Sequence, residues 1–228
     1  QATQTLVYAT LVSMLLTLIT IFWPLRRAGQ QLPQIGRGEL FAAGLYFALI
    51  GLGFMFVEIG LLSRLNVMLG HPTLSLAVLL GGIILFTGIG SLLSEKLPFD
   101  RSLTLRRWYP MIPFVAAAIG AYASGPALTG LAGAPTATRV AGGLAVVALP
   151  ALGMGLGFPL GLRLVARFGE DESRPALGPW LWGINGACGV CASGLALGSS
   201  MTWGIPVTLF FGALCYFALL FCTRKLAV

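Results

Sequence analysis

Charge is what this sequence has least of. Only 9% of its 228 residues are Asp, Glu, Lys or Arg, against about 25% in an ordinary soluble domain. That scarcity excludes a soluble enzyme and a disordered tail, both of which depend on charge for solvation. Cysteine is also sparse. Of the four, three lie inside apolar runs and Cys222 at the edge of one, so a disulfide framework is excluded. What is abundant is apolar: 57% of the residues are hydrophobic and the mean hydropathy is +0.90, the composition of an integral membrane protein. In that setting 31 glycines and 13 prolines signal close helix packing and kinks, not a collagen or a flexible linker.

A helix crosses the hydrocarbon core in about 20 residues. Seven apolar runs meet that length, at roughly 5–23, 41–62, 73–94, 109–126, 140–162, 179–200 and 205–222. They predict an all-α polytopic bundle forming a single transmembrane domain over residues 1–228. The fourth run is the least regular, interrupted by Pro113, Gly125 and Pro126, and a surface loop with a short helix is expected from Ser124 to Thr138. The first run lacks a basic leader and ends in Pro24 and Arg26-Arg27, so it reads as a true span, not a signal peptide. A start at Gln1 is expected of a fragment or a processed product. No polar loop exceeds about 15 residues, too short to fold a nucleotide-binding sheet.

The basic residues fix an orientation. Arg26, Arg27, Arg37, Lys96, Arg101, Arg106, Arg107, Arg163, Arg167, Arg174, Arg224 and Lys225 fall on one side of the predicted spans; only Arg64 and Arg139 fall on the other. Lys and Arg collect on the cytoplasmic side, which puts the N-terminus outside and the C-terminus in the cytoplasm, with a bacterial inner membrane as the expected location. The net charge of +7 then faces the cytoplasm and anionic lipid headgroups, not nucleic acid. Trp23, Trp108, Trp180 and Trp182 fall at the cytoplasmic interface and Trp203 at the outer one, as an aromatic belt requires.

Glu58 is the only acidic residue inside a span. An ionised carboxylate in hydrocarbon costs about 3 kcal/mol on insertion scales, so it must be paired, hydrated or protonated. It is a candidate proton, cation or amine site, or a structural partner for Arg64, Asn66 or His71 near the outer interface, or for Asn185 on another span. Arg64 lies six residues on and does not share its helix face. His71 precedes Pro72, the favoured first residue of a helix, and is expected at the cap of the third span, as a turn residue or as a partner of Glu58. One histidine and one nearby carboxylate are too few ligands for a metal site.

Gly153, Gly155, Gly157 and Gly161, with Pro150 and Pro159, are expected to weaken or break the fifth span. The break would line a substrate path; alternatively Gly157-x-x-x-Gly161 is a close helix crossing. The sixth span holds Cys188-x-x-Cys191. Redox pairs of this spacing sit at a helix N-terminus after a strand, whereas this pair lies within an apolar helix. Gly183, Ala187, Gly194 and Gly198 surround it, so both cysteines are expected to be reduced, metal-free packing residues. Asn185 needs a hydrogen-bond partner within the bundle. The loops EKLPFDRSLTLRRWYP and ARFGEDESRPALGP are expected in the cytoplasm. The first is a candidate surface for anionic headgroups or a partner, and Glu170, Asp171 and Glu172 form a solvated turn.

Phe47–Ser94, FALIGLGFMFVEIGLLSRLNVMLGHPTLSLAVLLGGIILFTGIGSLLS, resembles the transmembrane part of membrane-integral spermidine synthase-like proteins. GLGFPLGLRLV and PWLWGINGACGVCASGLAL are similar to later membrane motifs of that family, and the three strings cover about a third of the chain. The resemblance implies a C-terminal membrane module whose catalytic work falls to a soluble aminopropyltransferase-like domain upstream of Gln1 or on another chain. It assigns no catalytic residue and no cofactor to these 228 residues. With the N-terminus outside, a domain joined directly before Gln1 would sit away from cytoplasmic adenosylmethionine derivatives. Such a domain would then do different work or be absent, or the first span would run the other way. The expected function is a non-catalytic membrane module that anchors or feeds a soluble domain or partner. The alternatives are a transporter-like half centred on Glu58 and a structural subunit of a larger membrane complex.

Overall fold

The computed structural model describes residues 2–17, 19–20, 36–166 and 177–227. Among them stand eight helices and no strand: α1 (Ala2–Thr17), α2 (Arg37–Leu69), α3 (Pro72–Lys96), α4 (Leu103–Trp108), α5 (Met111–Gly130), α6 (Thr136–Ala166), α7 (Leu177–Thr202) and α8 (Ile205–Leu226). Among the described residues six stretches are long and apolar enough to cross a membrane: α2, α3, α4 with α5, α6, α7 and α8. The all-α membrane bundle expected from composition is the observed architecture. The first expected span is represented by α1, a 16-residue helix shorter than a full crossing. Residues 18 and 21–23 of that span lie outside the described residues, as do Arg26, Arg27, Arg167, Arg174 and the Glu170–Glu172 turn.

Lipid chains are as apolar as leucine, so such helices associate by close packing and not by expulsion of water. The 33-residue α2, about 50 Å long, is the axis of the bundle and packs on α8, α7, α6, α3 and α5, whereas α1 packs on α7. The seams are made where a glycine lets two backbones meet. Gly90 of α3 lies against the Leu152 carbonyl of α6, and Gly155 of α6 lies against the Thr87 backbone of α3. Gly51 of α2 faces the Asn185 carbonyl of α7, and Gly53 and Gly212 bring α2 and α8 together. Two of the turns at the end of the bundle bearing His71 depend on a left-handed glycine, Gly70 at φ 71° and Gly204 at φ 89°, a conformation that costs other residues.

Two expectations about helix interruption are corrected. Helix α5 continues to Gly130 with Pro126 inside it. The expected surface loop from Ser124 therefore begins only after Gly130. Helix α6 runs unbroken from Thr136 to Ala166 through Pro150, Gly153, Gly155, Gly157 and Pro159, so the predicted break at Gly153–Pro159 is absent. The reason is packing. Gly153 receives Ala116 and Pro113 of α5, Gly157 lies beside Ile50 and Tyr216, the Tyr46 ring covers Gly161, and the Pro150 ring fills the space over Gly120. Glycine weakens a helix that is bare to water; here each glycine is occupied by a neighbour. In hydrocarbon the helix is also the conformation that satisfies the backbone.

Candidate functional site

Helices α2, α3, α6 and α7 enclose a cavity of ≈ 920 Å³ near mid-height. Its floor is buried and comes from Ile50 and Gly51 of α2 with Met154 and Gly155 of α6. Phe54, Met55, Phe158 and Leu162 add apolar wall. The opposite lips are α3, through Ile84 and Gly88, and α7, through Gly186 and Val190; Ile84 is 71% and Val190 56% exposed. Each lip helix has its own support, α3 on α6 and α7 on α2, and no packed seam joins α3 to α7. The cavity is therefore a groove open on its side.

No charged residue lines the groove. Its polar groups are Thr87 and Ser91 of α3 and Asn185 and Ser193 of α7. The Thr87 hydroxyl donates to the Ile83 carbonyl at 2.6 Å and the Ser193 hydroxyl to the Val190 carbonyl at 2.7 Å. Asn185 Nδ2 donates to the Phe47 carbonyl at 3.0 Å, which meets the expectation that Asn185 binds within the bundle. Ser91 follows Thr87 by one turn, and Ser193 follows Asn185 by two. Those polar spacings inside apolar runs are the signal that could have marked Thr87, Ser91 and Ser193 as site residues, and sequence reasoning missed all three.

Glu58 stands seven residues after Gly51, four after Phe54 and three after Met55, on the helix face that forms the groove's α2 wall. It is about one turn outward of Met55. It is half-buried, and no hydrogen bond or ion pair joins it to any described residue. The expected partners are elsewhere. The Arg64 guanidinium lies over Gly125 of α5. Asn66 shares the outward continuation of the Glu58 face but sits eight residues on, about 12 Å along the axis, and its Oδ1 is buried without a partner. His71 is exposed and caps α3 ahead of Pro72, in the turn position expected of it. The structure thus places Glu58 near the groove and does not pair it with Arg64, Asn66, His71 or Asn185.

Cys188 and Cys191 are free thiols. Cys191 Sγ approaches the Ser13 carbonyl of α1 at 4.0 Å, and one turn on, Gly194 receives Thr10 of α1. Cys191 and Gly194 thus form part of the α1–α7 seam, whereas Gly183 and Gly198 meet nothing within 4 Å, so the small-residue stripe packs only in part. Replacing both cysteines by alanine should leave assembly unchanged, with a melting temperature close to that of the parent in detergent. Loss of the folded protein would overturn the packing assignment.

At the basic end Arg163 joins three elements. It pairs with Asp100, donates Nη1 to the Ser94 carbonyl at 3.1 Å and lies 5.2 Å over the Phe99 ring. Beside it a buried tyrosine cluster braces α6. The Tyr46 hydroxyl donates to the Gly157 carbonyl at 2.6 Å and is bonded to the Tyr109 hydroxyl. The groove therefore stands on a rigid base at the end where most basic residues lie.

Fold and site together define an α-helical membrane protein with a laterally open, uncharged cavity between its helices. No family model matches the chain, and no curated protein or solved structure was found to be similar to it.

Proposed function

We propose that this chain is a non-catalytic membrane module that holds a substrate in the α2–α3–α6–α7 groove and feeds it to a soluble domain or partner at the basic end. The carrying observation is the groove itself. Its ≈ 920 Å³ falls within the span of about 300–1,000 Å³ typical of small-molecule sites, as does its mostly apolar lining with a few convergent polar groups. The resemblance to membrane-integral spermidine synthase-like proteins makes an aminopropyltransferase-like domain the candidate partner. The charge distribution supports a basic end in the cytoplasm of a bacterial inner membrane.

Filling the groove tests this reading. A Cβ at Gly189 would meet Met55 at 3.6 Å and the Gly51 carbonyl at 3.9 Å, both ordinary van der Waals distances, so Gly189→Phe projects into the groove without forcing a backbone. Organic extracts of the purified wild-type protein should yield a small molecule by mass spectrometry that the folded Gly189→Phe variant lacks. Identical extracts would contradict the reading.

The orientation is tested on a cysteine-free background. Single cysteines at His71 or Trp203 should react with an impermeant maleimide from outside the cell, and a cysteine at Arg101 only after permeabilisation. Outside labelling at Arg101 would reverse the assignment.

A second reading is favoured by one observation, the unpartnered carboxylate of Glu58 on the groove face. In it the chain is a transporter-like half that handles a proton, cation or amine at Glu58.

A further inference from the structure

From the hydrogen-bond polarity of the groove and the direction of its opening, we infer that its ligand is a single-chain amphiphile with a hydrogen-bond-donating head, a hydroxyl or an amine, and that it enters sideways from the bilayer between α3 and α7. This inference rests on the reading of the groove as a binding site and specifies what binds and by which route.

The polarity follows from the hydroxyl and amide hydrogens. A threonine or serine hydroxyl has one proton to give, and those of Thr87 and Ser193 are given to their own helix carbonyls. Asn185 gives one of its two amide protons to the Phe47 carbonyl and keeps the other, together with the Oδ1 acceptor. Thr87, Ser193 and Asn185 Oδ1 therefore offer lone pairs, the free donors are neutral ones at Ser91 and the second Asn185 amide proton, and the groove carries no cationic donor. A carboxylate or phosphate head would find no cation, and only the neutral donors of Ser91 and Asn185, to offset its desolvation. A hydroxyl or amine supplies the missing protons. Glu58, on the same α2 face one turn outward, adds a further oxygen acceptor.

The route follows from the walls. The lips are exposed apolar residues at the depth of a lipid chain, Ile84 and Val190, and the floor is sealed by the Gly51–Asn185 and Gly155–Thr87 backbone contacts. A hydrocarbon chain fits against Met55, Met154 and Phe158 without leaving an apolar environment. The lips also contain two open positions. A Cβ at Gly88 or Gly186 meets nothing within 4 Å, so Gly88→Phe with Gly186→Phe narrows the mouth without disturbing either seam.

The test uses a dodecanol carrying a mid-chain diazirine and its methyl ether, each photolysed with the full chain in phosphatidylcholine nanodiscs, with labelled residues mapped by mass spectrometry. Wild type should be labelled by the alcohol at Met55, Met154 or Phe158 in preference to the lipid-facing Leu92 and Phe221. The ether should label the groove about fivefold less, the worth of one neutral hydrogen bond. In the folded Gly88→Phe/Gly186→Phe variant groove labelling should fall to the level of Leu92. Equal labelling by alcohol and ether overturns the donor-head assignment. Groove labelling that survives in the double variant overturns lateral entry and leaves the binding site standing. Labelling of wild type with no preference for the groove overturns both the inference and the proposed function.

Discussion

Gly90→Leu should abolish the folded bundle, while Gly88→Leu, two residues earlier on the same helix, should leave it intact. A side chain at Gly90 would be driven into the Leu152 carbonyl and the Gly155 Cα, whereas at Gly88 it would meet nothing within 4 Å. Overpacking ordinarily costs about 1–3 kcal/mol where side chains can yield. At Gly90 the obstacle is backbone, and α3 cannot step away without opening the α3–α6 seam, its main support. Against a total stability of about 5–15 kcal/mol, loss of that seam is decisive. Fluorescence-detected size-exclusion chromatography reads the outcome: a monodisperse peak for Gly88→Leu and an aggregated or absent one for Gly90→Leu. Equal behaviour would mean that the helices are not held by glycine contacts.

Glu58→Gln should abolish any proton- or cation-coupled activity while leaving expression and melting temperature unchanged. Gln keeps the shape and loses the charge. Because Glu58 is half-buried without an ion-pair partner among the described residues, neutralising it strands no opposite charge. A structural carboxylate would behave in the opposite way: its replacement would lower stability and spare activity. Uptake of a labelled amine into proteoliposomes, with thermal unfolding in parallel, separates the two. Undiminished uptake by the Gln variant would remove Glu58 from the mechanism.

The membrane bundle was legible in the sequence because hydropathy over 20 residues reports a property that the bilayer itself enforces. Expected and observed spans coincide from α2 to α8, although α2 extends well past 41–62 to Arg37 and Leu69. That extension carries Arg64 and Asn66, polar residues that hydropathy assigned to the flank. Of the two expectations for the α6 glycines, a break or close packing, only packing is found: Gly155 and Gly161 are contact surfaces for Thr87 and Tyr46, and the break follows only if glycine and proline are weighed by their behaviour in exposed helices. The α1–α7 seam was partly legible, since Cys191 and Gly194 stood out as small residues. The groove was not. Thr87 and Asn185 are about a hundred residues apart, and only the shared packing of α3 on α6 and α7 on α2 sets them on one cavity. For Glu58, its intramembrane depth was readable from sequence, but the side chains facing it depended on how α2 is rotated in the bundle.

The groove is proposed as a ligand site open to the bilayer. A cryo-electron microscopy map of the chain in nanodiscs of its native lipids, with a bound antibody fragment for size, tests it most directly. Elongated density is expected between Met55, Met154, Phe158 and Asn185, reaching the bilayer between Ile84 and Val190. A map in which α3 and α7 close against one another, or in which a protein helix fills the groove, would contradict it.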